Sequence, residues 1–298
     1  MKTGLQDFVA GESHRARIQG RDRFHNICNN GDATFKACML LDGTETGTAK
    51  IEYNGDGTFD LVYWSERSGQ YQIELLCNDT PLTGSPFAVT CRANTAHAAS
   101  SQLSGDGLKG AHAGESAMIL LRSYDRFGNA VVSGGEHVSA ELRGSASTVK
   151  TVVTDNSDGT YTITYTATVA NDYFLHVTVG DTSVGSALPV RVAAASAHAS
   201  RCVLDGVTTN AVSGNQYSFA IVAHDEYGNA VCKGGDKFDV KIHGPLDITP
   251  AVKDTNDGHY IVSFVPQLIG SYHVTVHKDQ ILVAGCPLTI QCLPGMNS

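Results

Sequence analysis

The chain is 298 residues long and carries 21 basic against 30 acidic residues, a formal net charge of −9. This balance argues against a nucleic-acid or anionic-membrane surface, since both need clustered Lys and Arg and the sequence has no basic run. No apolar stretch approaches the roughly 20 residues of a membrane span, and Met1 leads into no signal-peptide core. We therefore expect a soluble, cytoplasmic chain with no nucleic-acid partner and no membrane insertion, unless a signal lies upstream.

One block of sequence occurs three times, at residues 4–91, 107–192 and 207–292. Each copy runs from a strand through an Asp-x-aromatic-x-Asn loop to an Asp-Gly-x-aromatic turn and ends on Gly-x-x-aliphatic. Positions of the second copy from Gly114 to Val190 recur in the third copy displaced by 100 residues. About 99 residues per copy is the size of a two-sheet sandwich domain.

The first copy is shorter at its start. Gly4-Leu5 aligns with Gly107-Leu108 at an offset of 103, and no counterpart of Ala98 to Asp106 precedes it. We therefore expect a truncated first strand, in a chain that is cut from something longer or starts with an incomplete domain. The predicted domains are residues 1–92, 98–193 and 198–293, joined by short Ala-rich linkers that allow limited bending.

Alternating polar and apolar residues predict the strands. In Thr160–Tyr165 the side chains of Tyr161, Ile163 and Tyr165 face the core, and Asp158-Gly159 reverses the chain just before them. The matching core positions of the other copies are Phe59, Leu61 and Tyr63, and Tyr260, Val262 and Phe264. Such runs, separated by turn residues and without helical periodicity, predict an all-β chain of three tandem immunoglobulin-like antiparallel β-sandwich domains.

The eight cysteines favour reduced structural thiols. Extracellular immunoglobulin domains join strands B and F by a disulfide, but no copy carries a cysteine on strand B, so Cys77 near the end of the first strand F lacks that partner. No pair has the short spacing of a zinc site. The glycosylation sequon Asn78-Asp79-Thr80 is short enough to occur by chance.

No catalytic, cofactor-binding or metal-binding residues are predicted. The twelve histidines lie mostly at strand edges or in linkers, without the partners that would form a ligand pair. The spacing contains no nucleophile elbow, no phosphate-binding glycine loop and no calcium loop. We therefore expect a protein that is not an enzyme.

The same residues carry a family resemblance. Asp125-Arg-Phe-Gly-Asn129 with Gly134-Gly135, the turn before Tyr161, and Gly84-Ser85-Pro86-Phe87 together resemble the filamin-type immunoglobulin repeat over nearly the whole chain. The first copy departs from this pattern because Phe24-His25-Asn26 lacks the loop glycine, and the second because Ser186-Ala187-Leu188 lacks the proline. The resemblance implies a scaffold linked to actin or another cytoskeletal network. Since no actin-binding module is present, that link would run through other regions or a partner.

The resemblance also implies that partner peptides dock in a groove between strands C and D. Counting back from the glycine that ends strand C, we expect the core-facing positions to be Ala37, Met39 and Leu41; Val138, Ala140 and Leu142; and Phe238, Val240 and Ile242. The groove-facing pairs are then Cys38 and Leu40, Ser139 and Glu141, and Asp239 and Lys241.

These pairs differ in character. The apolar pair Cys38 and Leu40 predicts the best groove, the pair Ser139 and Glu141 a possible one, and the charges of the third repeat an edge protected against pairing. In the alternative interpretation, strand D or a neighbouring repeat covers Cys38 and Leu40.

The sequence thus favours a non-enzymatic scaffold rod, associated with the cytoskeleton, that binds extended partner peptides by adding them as a strand beside strand C. Two alternatives stay open. One is an extracellular adhesion protein built on the same repeats. The other is a passive accessory rod of a larger assembly, such as a ciliary one, whose groove binds nothing.

Overall fold

The computed structural model describes residues 4–22, 24–145 and 147–295. Within these ranges the regular structure is β-strand apart from two short 3-10 turns, Ala98–Ser100 and Asp106–Leu108. The strands form three consecutive sandwiches, each with its own buried core. The described strand pairs are antiparallel except for one short parallel pair in each repeat, formed by Phe8–Val9, Ala111–His112 and Asn210–Val212. The predicted fold class is confirmed.

The first repeat is a sandwich of two separate sheets. Its strands are β1 (Phe8–Val9), β2 (His14–Gln19), β3 (Phe35–Leu41), β4 (Thr44–Glu45), β5 (Thr48–Tyr53), β6 (Thr58–Trp64), β7 (Gly69–Cys77), β8 (Thr80–Pro81) and β9 (Phe87–Arg92). One sheet has the order β1-β9-β7-β3-β4, with β8 on β7, and the other has the order β2-β6-β5. Strands B to G of the immunoglobulin scheme are β2, β3, β5, β6, β7 and β9.

The second repeat joins its two sheets through strand D. Its strands are β10 (Gln102–Ser104), β11 (Ala111–His112), β12 (Ser116–Arg122), β13 (Val138–Gly144), β14 (Thr148–Asp155), β15 (Thr160–Thr166), β16 (Asn171–Val179), β17 (Thr182–Ser183) and β18 (Leu188–Ala193). Strand A is β10 and pairs with strand B, β12. Strand D, β14, pairs with strand C, β13, at one end and with strand E, β15, at the other.

The third repeat again has two separate sheets. Its strands are β19 (Val203–Asp205), β20 (Asn210–Val212), β21 (Tyr217–Val222), β22 (Phe238–His243), β23 (Ala251–Asp254), β24 (His259–Phe264), β25 (Gly270–Lys278), β26 (Ile281–Leu282) and β27 (Leu288–Leu293). The sheet orders are β19-β21-β24-β23 and β20-β27-β25-β22, with β26 on β25. Strand A is β19, and strands C and F are β22 and β25.

The predicted core positions are buried. Tyr161, Ile163 and Tyr165 are at most 2% exposed, and their counterparts in the other repeats at most 5%. On strand C, Met39, Leu142 and Ile242 lie in the core, while the side chains next to them point outward. The strand alternation read from the sequence is confirmed at these positions.

The Asp-Gly turns have the predicted backbone geometry. Gly57, Gly159 and Gly258 adopt φ of +81°, +81° and +86°, the left-handed region that glycine enters without strain. In the loop where the first copy lacks a glycine, His25 takes a positive φ of 68° in the place of Gly128. The loop fold is therefore kept although the residue differs.

Candidate docking edges and inter-repeat joints

Cys38 and Leu40 lie on the outward side of strand β3, and both are half-buried. The Cys38 thiol donates to Oε2 of Glu74 on the neighbouring strand at 3.5 Å. Burial, together with the nearby Glu74 carboxylate, raises the pKa of this thiol, so it stays neutral at physiological pH. The two side chains form a small, weakly polar surface, as the sequence indicates.

The edge of β3 next to these residues is partly open. On one side β3 pairs with β7 along its whole length, while on the other β4 pairs only with Leu40 and Leu41. Thr46 N also donates to the carbonyl of Met39 at 2.9 Å. Among the described residues no strand pairs with this side of Phe35–Cys38, so Cys38 lies on an open edge and Leu40 beside a short hairpin.

In the second repeat the chain covers part of the same edge itself. Glu141, Leu142 and Arg143 pair with strand D, β14. Thr151 Oγ1 also donates to the carbonyl of Ala140 at 2.6 Å. Strand D therefore occupies the edge at Glu141. Ser139 remains exposed, with its hydroxyl 2.8 Å from that of Thr178.

In the third repeat the outward side of strand C is charged, as expected. Asp239 and Lys241 are exposed and lie 3.4 Å apart as an ion pair. Outside the isolated bridge between Ile242 and Ile248, no described strand pairs with this edge of β22. The edge is therefore open in geometry but carries charges that oppose the approach of an apolar peptide strand.

The joint between the first two repeats is built on the Asp-x-aromatic-x-Asn loop. Asp125 is fully buried, and its Oδ1 accepts the backbone N–H groups of Phe127 and Asn129, each at 2.9 Å. Its Oδ2 accepts the N–H of Asn94 in the linker at 2.9 Å. The Asp125 carboxylate thus stabilises its own loop and also binds the linker between the first two repeats.

Asn129 carries the contact across the joint. Its side-chain nitrogen donates to the carbonyl of Glu66 at 2.7 Å, and its side-chain oxygen accepts the N–H of Ser68 at 2.9 Å. Both partners belong to the loop between strands E and F of the preceding repeat. Phe127 of the same loop packs against the first repeat's core and lies over Gly11, where a Cβ atom would overlap its ring.

The second joint repeats this arrangement. Asp225 Oδ2 accepts the N–H of Ala195 at 3.0 Å, and Asn229 bonds to Thr168 O at 2.8 Å and Ala170 N at 2.9 Å. An acid on the next repeat also accepts a linker N–H at each joint. The pairs are Ala96 N with Glu136 at 3.1 Å and Ala197 N with Asp236 at 3.3 Å. Successive repeats are therefore held by specific bonds rather than by a free tether.

The pKa values of the two joint aspartates are lowered. Burial alone would raise the pKa of Asp125 and of Asp225, but the hydrogen bonds from the asparagine side chain and from several backbone N–H groups outweigh it. Both groups are therefore ionised at neutral pH. Sequence reasoning assigned these residues only to a family loop. Asp125 and Asp225 lie 100 residues apart, the length of one repeat, and this recurrence indicates that both have the same structural role.

In the described part of the chain, no three His, Cys, Asp or Glu side chains are placed to hold a metal ion. Among residues 4–22, 24–145 and 147–295, no helix is long and apolar enough to cross a membrane. All eight cysteines are free thiols, and burial raises the pKa of Cys91 to about 11.

The repeated sandwich, the loop motif and the strand order define a tandem immunoglobulin-like repeat protein. The sequence matches the Filamin/ABP280 repeat at residues 2–88, 95–187 and 196–289. Because these matches cover most of the chain, the protein belongs to the filamin repeat family. The chain is a scaffold of filamin-type repeats, and repeats of this family generally mediate protein–protein interaction.

Similar proteins include long filamins. Filamin-C of Rattus norvegicus is 25% identical over 300 residues, which cover 98% of this chain and 10% of Filamin-C. Filamin-A of Drosophila melanogaster is 25% identical over 305 residues, covering 94% of this chain and 13% of that protein. The chain thus spans about a tenth of the length of these relatives.

The fold also resembles that of a bacterial adhesin. The structure of FdeC, an adhesin of Escherichia coli, superposes with a TM-score of 0.67 at 19% identity, covering 97% of this chain and 95% of that one. At this identity the likeness shows the fold alone.

Proposed function

We propose that this chain is a non-enzymatic scaffold segment that binds extended partner peptides by strand addition at the open edge of β3. The proposed repeat boundaries are residues 1–92, 98–193 and 198–293. The observation that carries the proposal is the unpaired stretch Phe35–Cys38 beside the half-buried Cys38 and Leu40. A peptide laid there gains backbone hydrogen bonds, and its alternate side chains contact the weakly polar surface.

The second repeat is proposed as a weaker site of the same type. Its free edge is limited to residues near Ser139, because strand D already pairs with Glu141. The third repeat is proposed to bind no peptide at strand C, since Asp239 and Lys241 would have to be desolvated.

A cytoplasmic, cytoskeletal setting is part of the proposal and rests on the filamin family and the likeness to Filamin-C. The eight free thiols agree with a reducing compartment. The link to actin would be indirect, through other regions or through the peptide-bearing partner. The jointed repeats would then act as a stiff spacer between attachment points.

An extracellular adhesion role is the second candidate. It is supported by the whole-chain fold likeness to FdeC, an adhesin of Escherichia coli. A role as a passive accessory rod would need only the joints and would leave the β3 edge empty.

The test is capture of partners from a lysate by the full chain and by a Cys38→Asp, Leu40→Lys variant. A charge-swapped Asp239→Lys, Lys241→Asp variant serves as the matched control on the third repeat. Circular dichroism must show that all three chains are folded. We expect partners to be lost from the first variant alone, and a captured peptide to protect the amides of Phe35–Cys38 from hydrogen exchange. Identical partner sets for all three chains would favour the passive rod.

A further inference from the structure

Two carboxylates flank the open edge of β3. Glu74 on β7 lies opposite Cys38, and Glu45 on β4 lies opposite Leu40. Because residues paired in this way share one face of the sheet, both carboxylates lie on the outward side with Cys38 and Leu40. In the part of the chain that the structure describes, neither Glu45 nor Glu74 forms an ion pair.

The surface at Cys38 is therefore negative. Burial is the largest cause of the raised pKa of the Cys38 thiol, and its hydrogen bond to Glu74 and the charges of Glu74 and Glu45 raise that pKa further. Lys36, two residues before Cys38, does not offset these charges, because it is already paired with Asp79 at 2.5 Å.

In the other two repeats, the acids on the outward side of strand C have a cation beside them. Glu141 Oε1 accepts from Arg143 Nε at 2.6 Å in the second repeat, and Asp239 pairs with Lys241 at 3.4 Å in the third. Each of these acids has its cation two residues away on the same strand. The edge of β3 differs, since its two carboxylates are free to pair with a cation from a partner.

We propose that the occupant of the β3 edge is a basic extended peptide, with a Lys or Arg at the position opposite Cys38. This inference rests on the strand addition proposed above and names the chemical class of the partner. The charged head of the basic residue pairs with Glu74 and Glu45, while its apolar stem covers Cys38 and Leu40.

Strand geometry places both carboxylates within reach of that residue. A strand added to β3 lies about 4.8 Å from it, so Glu74 on β7 is about 10 Å from the added strand. Cys38 lies between them, and its side chain is short enough for a long basic side chain to extend over it. Because β4 borders the same side of β3 at Leu40, two residues from Cys38, Glu45 lies about 7 Å further along the direction of the added strand.

The partner residue next to the basic one should be apolar. Adjacent residues of a strand point to opposite faces, and Ala37 is half-buried against the core of the first repeat. The partner residue opposite Ala37 therefore points towards the interior between the two sheets. One position further, the partner faces the ion pair of Lys36 and Asp79, which has no net charge and selects neither sign.

The test compares three capped fluorescent peptides of alternating Thr and Val that differ only in the central residue, which is Arg, Gln or Glu. Each peptide is titrated with the full chain, and binding is followed by anisotropy. We expect the Arg peptide to bind about tenfold more tightly than the Glu peptide, with the Gln peptide between them, because the two carboxylates attract one and repel the other. Added salt should reduce this difference. The bound peptides should protect the amides of Phe35–Cys38 from hydrogen exchange.

Charge-removing variants locate the preference. In a Glu45→Gln, Glu74→Gln chain the Arg and Glu peptides should bind alike, while the affinity of the Gln peptide stays the same. The matched control is Glu141→Gln on strand C of the second repeat, which should keep the full preference of the parent for the Arg peptide. Circular dichroism must show that both variants are folded.

The outcomes separate this inference from the strand addition on which it rests. If none of the three peptides protects Phe35–Cys38, strand addition at this edge is contradicted, and the inference with it. If all three protect these amides with equal affinity, strand addition holds and the basic preference is overturned. A preference for Arg that survives the double substitution of Glu45 and Glu74 would also overturn it.

Discussion

The side-chain nitrogen of Asn129 donates one hydrogen bond of 2.8 Å to Asp125 and another of 2.7 Å to the carbonyl of Glu66 in the preceding repeat. The residue that closes its own loop is therefore the residue that contacts the neighbouring domain. Asn229 does the same with Asp225 and Thr168 at the next joint. Local folding of the loop and alignment of the repeats are thus coupled through one carboxamide.

Replacing Asn129 by Ala should loosen the first joint. The change removes the hydrogen bonds to Ser68 N and Glu66 O, and each lost bond of this kind costs about 0.5–1.5 kcal/mol. We expect a broader particle-size distribution in small-angle X-ray scattering and faster proteolysis at residues 93–95. The matched control is Asn26→Ala, in the same loop of the first repeat, where the side chain is exposed and donates to Asp22 at 2.9 Å. Equal proteolysis of the two variants at residues 93–95 would contradict a stabilising role of Asn129 in the first joint.

The joints should weaken in acid. The pKa of Asp125 is lowered in the folded chain, so its contribution to stability is fully present above the unfolded value of about 3.9 and is lost as the pH falls through the folded value. The free energy of unfolding of the parent should therefore fall more steeply below about pH 4 than that of an Asp125→Asn variant. Denaturant titrations at a series of pH values measure this difference.

An exposed aspartate provides the comparison for this pH effect. Asp22 stands in the equivalent loop and also has a lowered pKa, through hydrogen bonds from Asn26 and from Phe24 N. It lies at the surface, so Asp22→Asn should change the pH profile less than Asp125→Asn does. If Asp22→Asn and Asp125→Asn change the pH dependence of the free energy of unfolding equally, the inter-repeat contacts do not depend on the Asp125 charge.

Much of each sandwich could be predicted from the sequence. The period-two alternation at Tyr161, Ile163 and Tyr165 fixed which side chains enter the core, because adjacent strand residues point to opposite faces. The Asp-Gly pairs indicated the tight turns for an equally local reason, namely the backbone freedom of glycine at positive φ.

The contacts between repeats and the pairing of strand D could not be predicted from local sequence patterns. Asn129 meets Glu66 across 63 residues of sequence, and no alternation of side chains encodes such a contact. Whether strand D pairs with strand C depends on the connection between them. Gly144 is followed closely by β14 in the second repeat, whereas the β4 hairpin intervenes after Leu41 in the first. Whether strand D leaves each groove open could therefore be seen only in the structure.

Gly159→Ala should destabilise the second repeat strongly. At φ +81° an L side chain is strained, and a Cβ atom here would overlap the carbonyl oxygen of Val131. The matched control is Gly128→Ala, with φ +84° and no heavy atom within 4 Å of the added Cβ. The control should cost only the backbone strain of about 1–2 kcal/mol, and Gly159→Ala clearly more, as measured by urea denaturation. Similar midpoints for both variants would show that the loop moves to accept the methyl group.

Asp236→Ala should cost more stability than Lys278→Met in the third repeat. Lys278 and Asp236 form an ion pair at 3.4 Å with side chains only 8% and 11% exposed, and Asp236 also accepts the linker N–H of Ala197. Removing the aspartate leaves the ammonium paired only with the exposed Asp279, so we expect a loss below the roughly 3–5 kcal/mol that follows when a buried charge loses its only partner. Lys278→Met keeps an apolar side chain at this position, where the second repeat has Val179. Asp236 also keeps its hydrogen bond from Ala197 N in that variant. Chemical denaturation of the two single variants and the double variant gives the coupling energy. A larger loss for Lys278→Met would place the main stabilising role on the lysine.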